Sequence, residues 1–306
     1  MAAVAPGTAW TFEALPDIFE NYGAASYDGL YTFKFNKVAT QPRLALLRRA
    51  YPTDDPAAAD QRDWTRLAAY VRSLNEQAPD GVRYKVLYLT RHGLGYHNQK
   101  HTEVGTREWE DNWALKDGDG VNTWFDSFLT PAGEQQAREL SKLWETLTTA
   151  DNAPYPQSFY TSPMARCLQT TELAFAPLRP PFRATVKEAL RERYTMHTCD
   201  KRRPRSWVEA EWGPRGYAVE REGFPEEDQM RALGRPETDE EHTARKQKAL
   251  EEIFEADEGE FISLSIHSIA IRAVQAACNA DLFRVREGSS IAMLVKGEKL
   301  VNGEKL

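Results

Sequence analysis

Lys85-Val86-Leu87-Tyr88-Leu89-Thr90-Arg91-His92-Gly93 is the stretch on which the fold turns. Its apolar, β-favouring residues break off at a polar Arg-His-Gly corner, the pattern of a buried strand ending in a functional turn. In open α/β sheets, ligands gather outside the carboxyl ends of the strands. Arg91 supplies a planar fork for phosphate oxygens, and Gly93 lets backbone approach closely. His92 has the chemistry of a base, a metal ligand or a nucleophile.

Working outward, the same logic recurs. Phe261-Ile262-Ser263-Leu264-Ser265-Ile266-His267 is a second β-rich run ending on histidine, followed by a helix over Ser268 to Asn279. Pro156 to Thr161 reads as a strand that meets Ser162-Pro163-Met164-Ala165-Arg166, the start of another helix. Arg166 is either an anion ligand near a helix N-terminus or an exposed arginine paired with Glu172. Leu129-Thr130-Pro131 opens a helix to about Thr148, with Thr130 as N-cap and Pro131 in the first turn. Thr185 to Leu190 is strand-like and leads to Glu192, which is ionised between Arg191 and Arg193 unless burial turns it into a proton donor. Glu237 to Asp257 is a charged amphipathic helix, and Ser289 to Lys296 is the last strand. The alternation predicts an α/β fold: a doubly wound, mostly parallel sheet flanked by helices.

Residues 1–81 read as an N-terminal extension packed on the main body, with aromatic, irregular stretches at 10–16 and 27–33 and an amphipathic helix over 60–77. Residues 82–306 form the main domain, with insertions near 94–128 and 196–236. The first insertion reads as a long loop with little regular structure, carrying Trp109, Trp113 and Trp124. His97 and His101 within it lack the acid of a metalloprotease helix and read as hydrogen-bonded loop histidines. Lys201-Arg202-Arg203-Pro204-Arg205 reads as a solvated basic run.

The net charge of −7 argues against nucleic-acid or anionic-membrane partners, while leaving room for a local arginine pocket. The cysteines, Cys167, Cys199 and Cys278, form neither a disulfide framework nor a CxxC pair, which points to a reducing compartment. With no signal-peptide pattern and no membrane-length apolar run, a cytoplasmic protein is expected.

Taken together and in order, Thr90-Arg91-His92-Gly93, Ser162-Pro163-Met164-Ala165-Arg166, Leu190-Arg191-Glu192-Arg193 and Ser265-Ile266-His267-Ser268 resemble the histidine phosphatase superfamily, the phosphoglycerate mutase-like enzymes. Leu129-Thr130-Pro131-Ala132-Gly133-Glu134-Gln135-Gln136-Ala137 is similar to the family's LTxxGxxQA pattern, and the 93–98 and 199–203 segments look most like its fungal phosphomutase-like branch. The likeness spans about residues 82–300. It departs from the family at Leu94, where glutamate is common, at Ser268 in place of glycine, and at Tyr194-Thr195-Met196 after the acid.

The resemblance implies a phosphoglycerate mutase-like fold and covalent phosphoryl transfer without metal or cofactor. His92 would be the nucleophile, Arg91, Arg166 and His267 the cationic pocket, Glu192 the acid and base, and Asn98 a further phosphate contact. The expected activity is hydrolysis of a small organic phosphate monoester or diphosphate. A phosphomutase and a non-catalytic phosphate-binding protein stand as alternatives.

Overall fold

The computed structural model describes residues 9–22, 37–56, 61–301 and 304–305. In chain order the first elements are β1 (Trp10–Ala14), β2 (Lys37–Val38), α1 (Asp63–Glu76), β3 (Val82–Arg91) and α2 (Tyr96–Glu108). Then come α3 (Pro131–Thr149), β4 (Ser158–Thr161), α4 (Ala165–Phe175), β5 (Ala184–Val186), α5 (Arg205–Trp212) and β6 (Tyr217–Val219). The chain finishes with α6 (Asp239–Ala256), β7 (Phe261–Ile266), α7 (Ser268–Ala277), β8 (Arg284–Val285), β9 (Ser290–Val301) and β10 (Glu304–Lys305).

Strand β3 is buried without interruption from Lys85 to Arg91, because it pairs on both edges and is covered on both faces. Its side chains alternate between two cores. Val86 and Tyr88 join Trp64, Leu67 and Val71 of α1 with Trp144 of α3 and Phe175 of α4. Leu87 and Leu89 join Leu250, Ile253 and Phe254 of α6 with Ile271 and Val274 of α7. Helices on both faces make the sheet doubly wound, as expected.

The sheet order is β1-β9-β3-β7-β4-β5-β6, with β10 on β9. From β3 to β6 every pairing is parallel. Strand β9 runs antiparallel to β3, and β1 antiparallel to β9, so the sheet is mixed at that edge. The irregular reading of residues 10–16 is therefore corrected. Trp10–Ala14 is a strand whose partners, Val295 to Lys299, lie at the other end of the chain, while the rings of Trp10 and Phe12 meet that of Phe254 in tilted and edge-on contacts. The stretch 27–33 lies outside the described residues.

Register brings the motifs to one edge. Arg91 pairs with Ile266 and Thr161 with Ser265, so the corners after β3, β4 and β7 emerge side by side. Of the expected 185–190 strand only Thr185 and Val186 pair, as part of β5; Glu188–Leu190 is a 3-10 turn that bends the chain back over this edge.

The 94–128 segment is also corrected in its first half: residues 96–113 are helical, while 114–128 are the loop expected. Its helix α2 is polar and weakly amphipathic, so periodicity does not reveal it; it is held by its cap, with Asn98 Oδ1 accepting the Gly95 N–H. Trp109 and Trp124 are buried with Cys199, so the two insertions pack on each other. The basic run is not solvated. Arg202 is buried, donates to the carbonyls of Pro225, Glu226 and Glu227 and pairs with Glu188, while Arg203 pairs with Asp126 and lies over Trp207. Among the described residues no helix is long and apolar enough to cross a membrane.

Candidate active site

The loop after β3 lies flush on the start of α3. A Cβ at Gly93 would meet the Gly133 carbonyl oxygen at 2.4 Å, and one at Gly133 would meet that of Leu94 at 2.2 Å. Around this crossing, the Thr130 N–H and hydroxyl donate to the Leu94 carbonyl, and Gln136 Oε1 accepts the Leu94 N–H at 2.8 Å. Thr170 Oγ1 accepts the Gly93 N–H at 3.0 Å. These neighbours hold His92 in place.

His92 is buried, and its Nδ1 sits 2.7 Å from the Gly93 carbonyl. A carbonyl only accepts, so Nδ1 carries the ring proton. Burial, reinforced by Arg166 and Arg91, holds the pKa well below the usual histidine value. The ring is therefore neutral, with its lone pair on Nε2. His267, the N-cap of α7, lies 5.1 Å away between ring centroids, with Nε2 2.7 Å from Ser162 Oγ. Its pKa is likewise held far down, first by burial and then by Arg166.

Arg91 donates from Nη1 to the Val285 carbonyl at 2.8 Å and pairs with Glu287 at 2.9 Å. Arg166, among the most deeply buried side chains, donates from Nη1 to the Cys199 carbonyl at 2.8 Å and stands 3.9 Å from Asp200. Glu172 pairs with Arg215 instead, which disposes of the surface-pair alternative for Arg166. Both arginines keep a buried Nε–H with no hydrogen-bond partner among the described residues. Such donors are costly to bury unpaired, and two of them beside two histidines describe an anion site.

Glu192 is partly exposed. Its Oε1 accepts the Arg193 N–H at 2.9 Å, and its Oε2 accepts the Ile269 N–H at 3.0 Å, in the first turn of α7. Burial raises its pKa above the usual glutamate value against the pull of those two N–H groups. Asn98 uses Oδ1 in the α2 cap described above.

Two residues were missed from sequence. His97 is on α2, not in a loop; its ring is buried 5.8 Å from that of His92, and its Nδ1 has no partner. Lys246, fully buried on α6, donates from Nζ to the carbonyls of Ala189 and Arg191 at 2.8 and 2.7 Å, while Arg245 holds the Glu192 carbonyl at 2.9 Å. A signal for Lys246 was present, since it falls on the helical stripe of His242, Ala249, Leu250 and Ile253.

Beside this site lies a cavity of about 260 Å³, bordered by Glu192, His97, His101, Glu110, His197 and Asp200. His101 stacks on Trp109 and bonds Thr106 Oγ1. Among the described residues one trio has metal-ligand spacing: His197, Cys199 and Asp200, with ligand atoms within 4.8 Å. Its members are engaged, His197 with Glu110 at 3.0 Å and Asp200 with Thr195, and burial pushes the Cys199 thiol pKa up.

A family model described as "Histidine phosphatase superfamily (branch 1)" matches residues 87–287. A "Probable phosphoglycerate mutase" of Arthroderma benhamiae is 38% identical over 259 residues, 83% of this chain and 76% of its own. A second protein of that description, from Saccharomyces cerevisiae, is 28% identical over 94% of this chain and 96% of its own. Among solved structures, phosphoglycerate mutase from Thermus thermophilus is similar with TM-score 0.36 and 23% identity, covering 68% of this chain and 91% of that one.

Proposed function

Because this chain belongs to the histidine phosphatase superfamily, we propose that it hydrolyses a small organic phosphate monoester through a phosphohistidine on His92. His92 Nε2 attacks phosphorus, and the bond from phosphorus to the ester oxygen breaks. Arg91, Arg166 and His267 bear on the non-bridging oxygens, where charge builds as the phosphoryl group passes. The amide of Asn98 adds a contact to the same group. Glu192, protonated, gives its proton to the departing alkoxide. Water then attacks the phosphohistidine, gives its proton to the Glu192 carboxylate and releases inorganic phosphate. The site residues bring all of this without a metal ion.

The observation that carries this reading is the Nδ1 bond from His92 to the Gly93 carbonyl, which leaves Nε2 as a neutral nucleophile beside two unpaired arginine donors. The mutase reading is favoured by the names of the fungal relatives. Phosphate release from p-nitrophenyl phosphate and metabolite phosphates, with EDTA present, tests the proposal in wild type and His92→Ala. Release by wild type alone supports it. An acid-labile phosphoprotein that passes its phosphoryl group to 3-phosphoglycerate rather than to water replaces it with the mutase. The three free, buried cysteines suit a cytoplasmic setting.

A further inference from the structure

Resting on that reading, we infer that the cavity beside Glu192 is the leaving-group pocket and selects an uncharged alcohol over one carrying a carboxylate or a second phosphate. A group that protonates the departing oxygen has to reach it, so the alcohol portion of the ester lies where Glu192 faces open space. That space is the 260 Å³ cavity.

Its lining is acidic. Besides Glu192 it presents the carboxylates of Glu110, 3.0 Å from His197 Nε2, and of Asp200, which accepts the Thr195 N–H. The lining cation is Arg193, whose Nη1 pairs with Asp239 at 2.5 Å while its buried Nε keeps no partner among the described residues. Arg166 behind Asp200 faces the phosphoryl group, whose own charge offsets it. The imidazoles of His97 and His101 are pushed toward the neutral form by burial. The remaining lining includes the Trp109 ring and Ile269. A second anion here would meet two carboxylates and the phosphoryl group against a single lining arginine already paired with Asp239. A neutral hydroxylated or ring-bearing alcohol meets no such repulsion.

Glycerol 3-phosphate and 3-phosphoglycerate test the inference, because they share length and phosphate and differ at one end, CH2OH against carboxylate. Binding is measured by calorimetry on His92→Ala, which retains Arg91, Arg166 and His267. The expected result is at least about tenfold tighter binding of glycerol 3-phosphate. Glu110→Gln in the same background, at a half-exposed position, narrows that ratio by about threefold or more. Equal affinities, a preference for 3-phosphoglycerate, binding of neither, or a ratio unmoved by Glu110→Gln each overturn it. Turnover is not read here. A wild-type protein that releases no phosphate while the ratio holds therefore sinks the catalytic reading and leaves this one standing.

Discussion

Gly133→Ala tests whether the crossing of the β3 loop over α3 sets the position of the nucleophile. The added Cβ would stand 2.2 Å from the Leu94 carbonyl oxygen and 2.8 Å from its nitrogen, both backbone atoms two residues from His92. Ordinary contact is roughly 3.3–3.5 Å, so the loop has to retreat by about 1 Å. Overpacking of this kind costs about 1–3 kcal/mol, or about 2–10 °C in Tm for a chain of this size. A displacement of about 1 Å at the reacting group lowers kcat/KM by about 100-fold. Gln135→Ala, at an exposed position on the same helix, is the control. Thermal unfolding and phosphate-release kinetics on both variants decide the matter. A Gly133→Ala protein that keeps wild-type Tm and activity within threefold refutes the argument.

Three further outcomes follow from the buried charges. In the proposed mechanism Glu192 works protonated, and burial raises its pKa, so phosphate release is expected to fall as pH rises through a value above the usual glutamate range. Glu192→Gln loses this basic limb together with about 100- to 10,000-fold in rate, and a pH profile with an unchanged limb removes Glu192 as the acid. His242 is buried with its pKa depressed, so the unfolded chain takes up a proton below about pH 6.5 that the folded chain refuses, and stability drops as pH falls. Urea unfolding at pH 7.5 and 5.5 therefore shows a shallower slope for His242→Gln, by up to about 1.4 kcal/mol per pH unit; equal slopes contradict the assignment. Lys246→Met strips a donor from the Ala189 and Arg191 carbonyls, costing about 1–3 kcal/mol and lowering kcat with KM retained. A rise in KM with constant kcat shows that Lys246 does not act through the Glu192 loop.

The central strand, both histidine corners and the capped helix at Thr130 were legible because each depends on local chemistry: apolar runs, a Ser/Thr cap, a proline at the first turn. What escaped depends on partners far away in sequence. Trp10–Ala14 becomes a strand only because β9 lies beside it, and Arg202 leaves solvent only because the 225–227 carbonyls converge on it. Helix α2 was hidden for a different reason: its residues are polar on most sides, so no stripe marks it. That error also hid His97, because a histidine assigned to a loop has no defined direction, whereas one in the first turn of α2 points back at His92.

Much of the recognisable motif touches no phosphate in the mechanism proposed here. Thr130, Gly133, Gln136 and Thr170 hold the backbone at Gly93 and Leu94, which leaves the anion chemistry to Arg91, His92, Arg166 and His267. The division has a physical basis. A nucleophilic imidazole has to be neutral at neutral pH, and burial beside two guanidinium groups depresses the His92 pKa toward that end. The same burial leaves the Nε–H of Arg91 and of Arg166 unpaired, a cost that an incoming phosphate relieves and a neutral ligand does not. A site that is expensive while empty needs a rigid frame to keep it from collapsing. The glycine crossing and its hydrogen bonds supply that frame, which is why a single methyl group at Gly133 is expected to reach the chemistry.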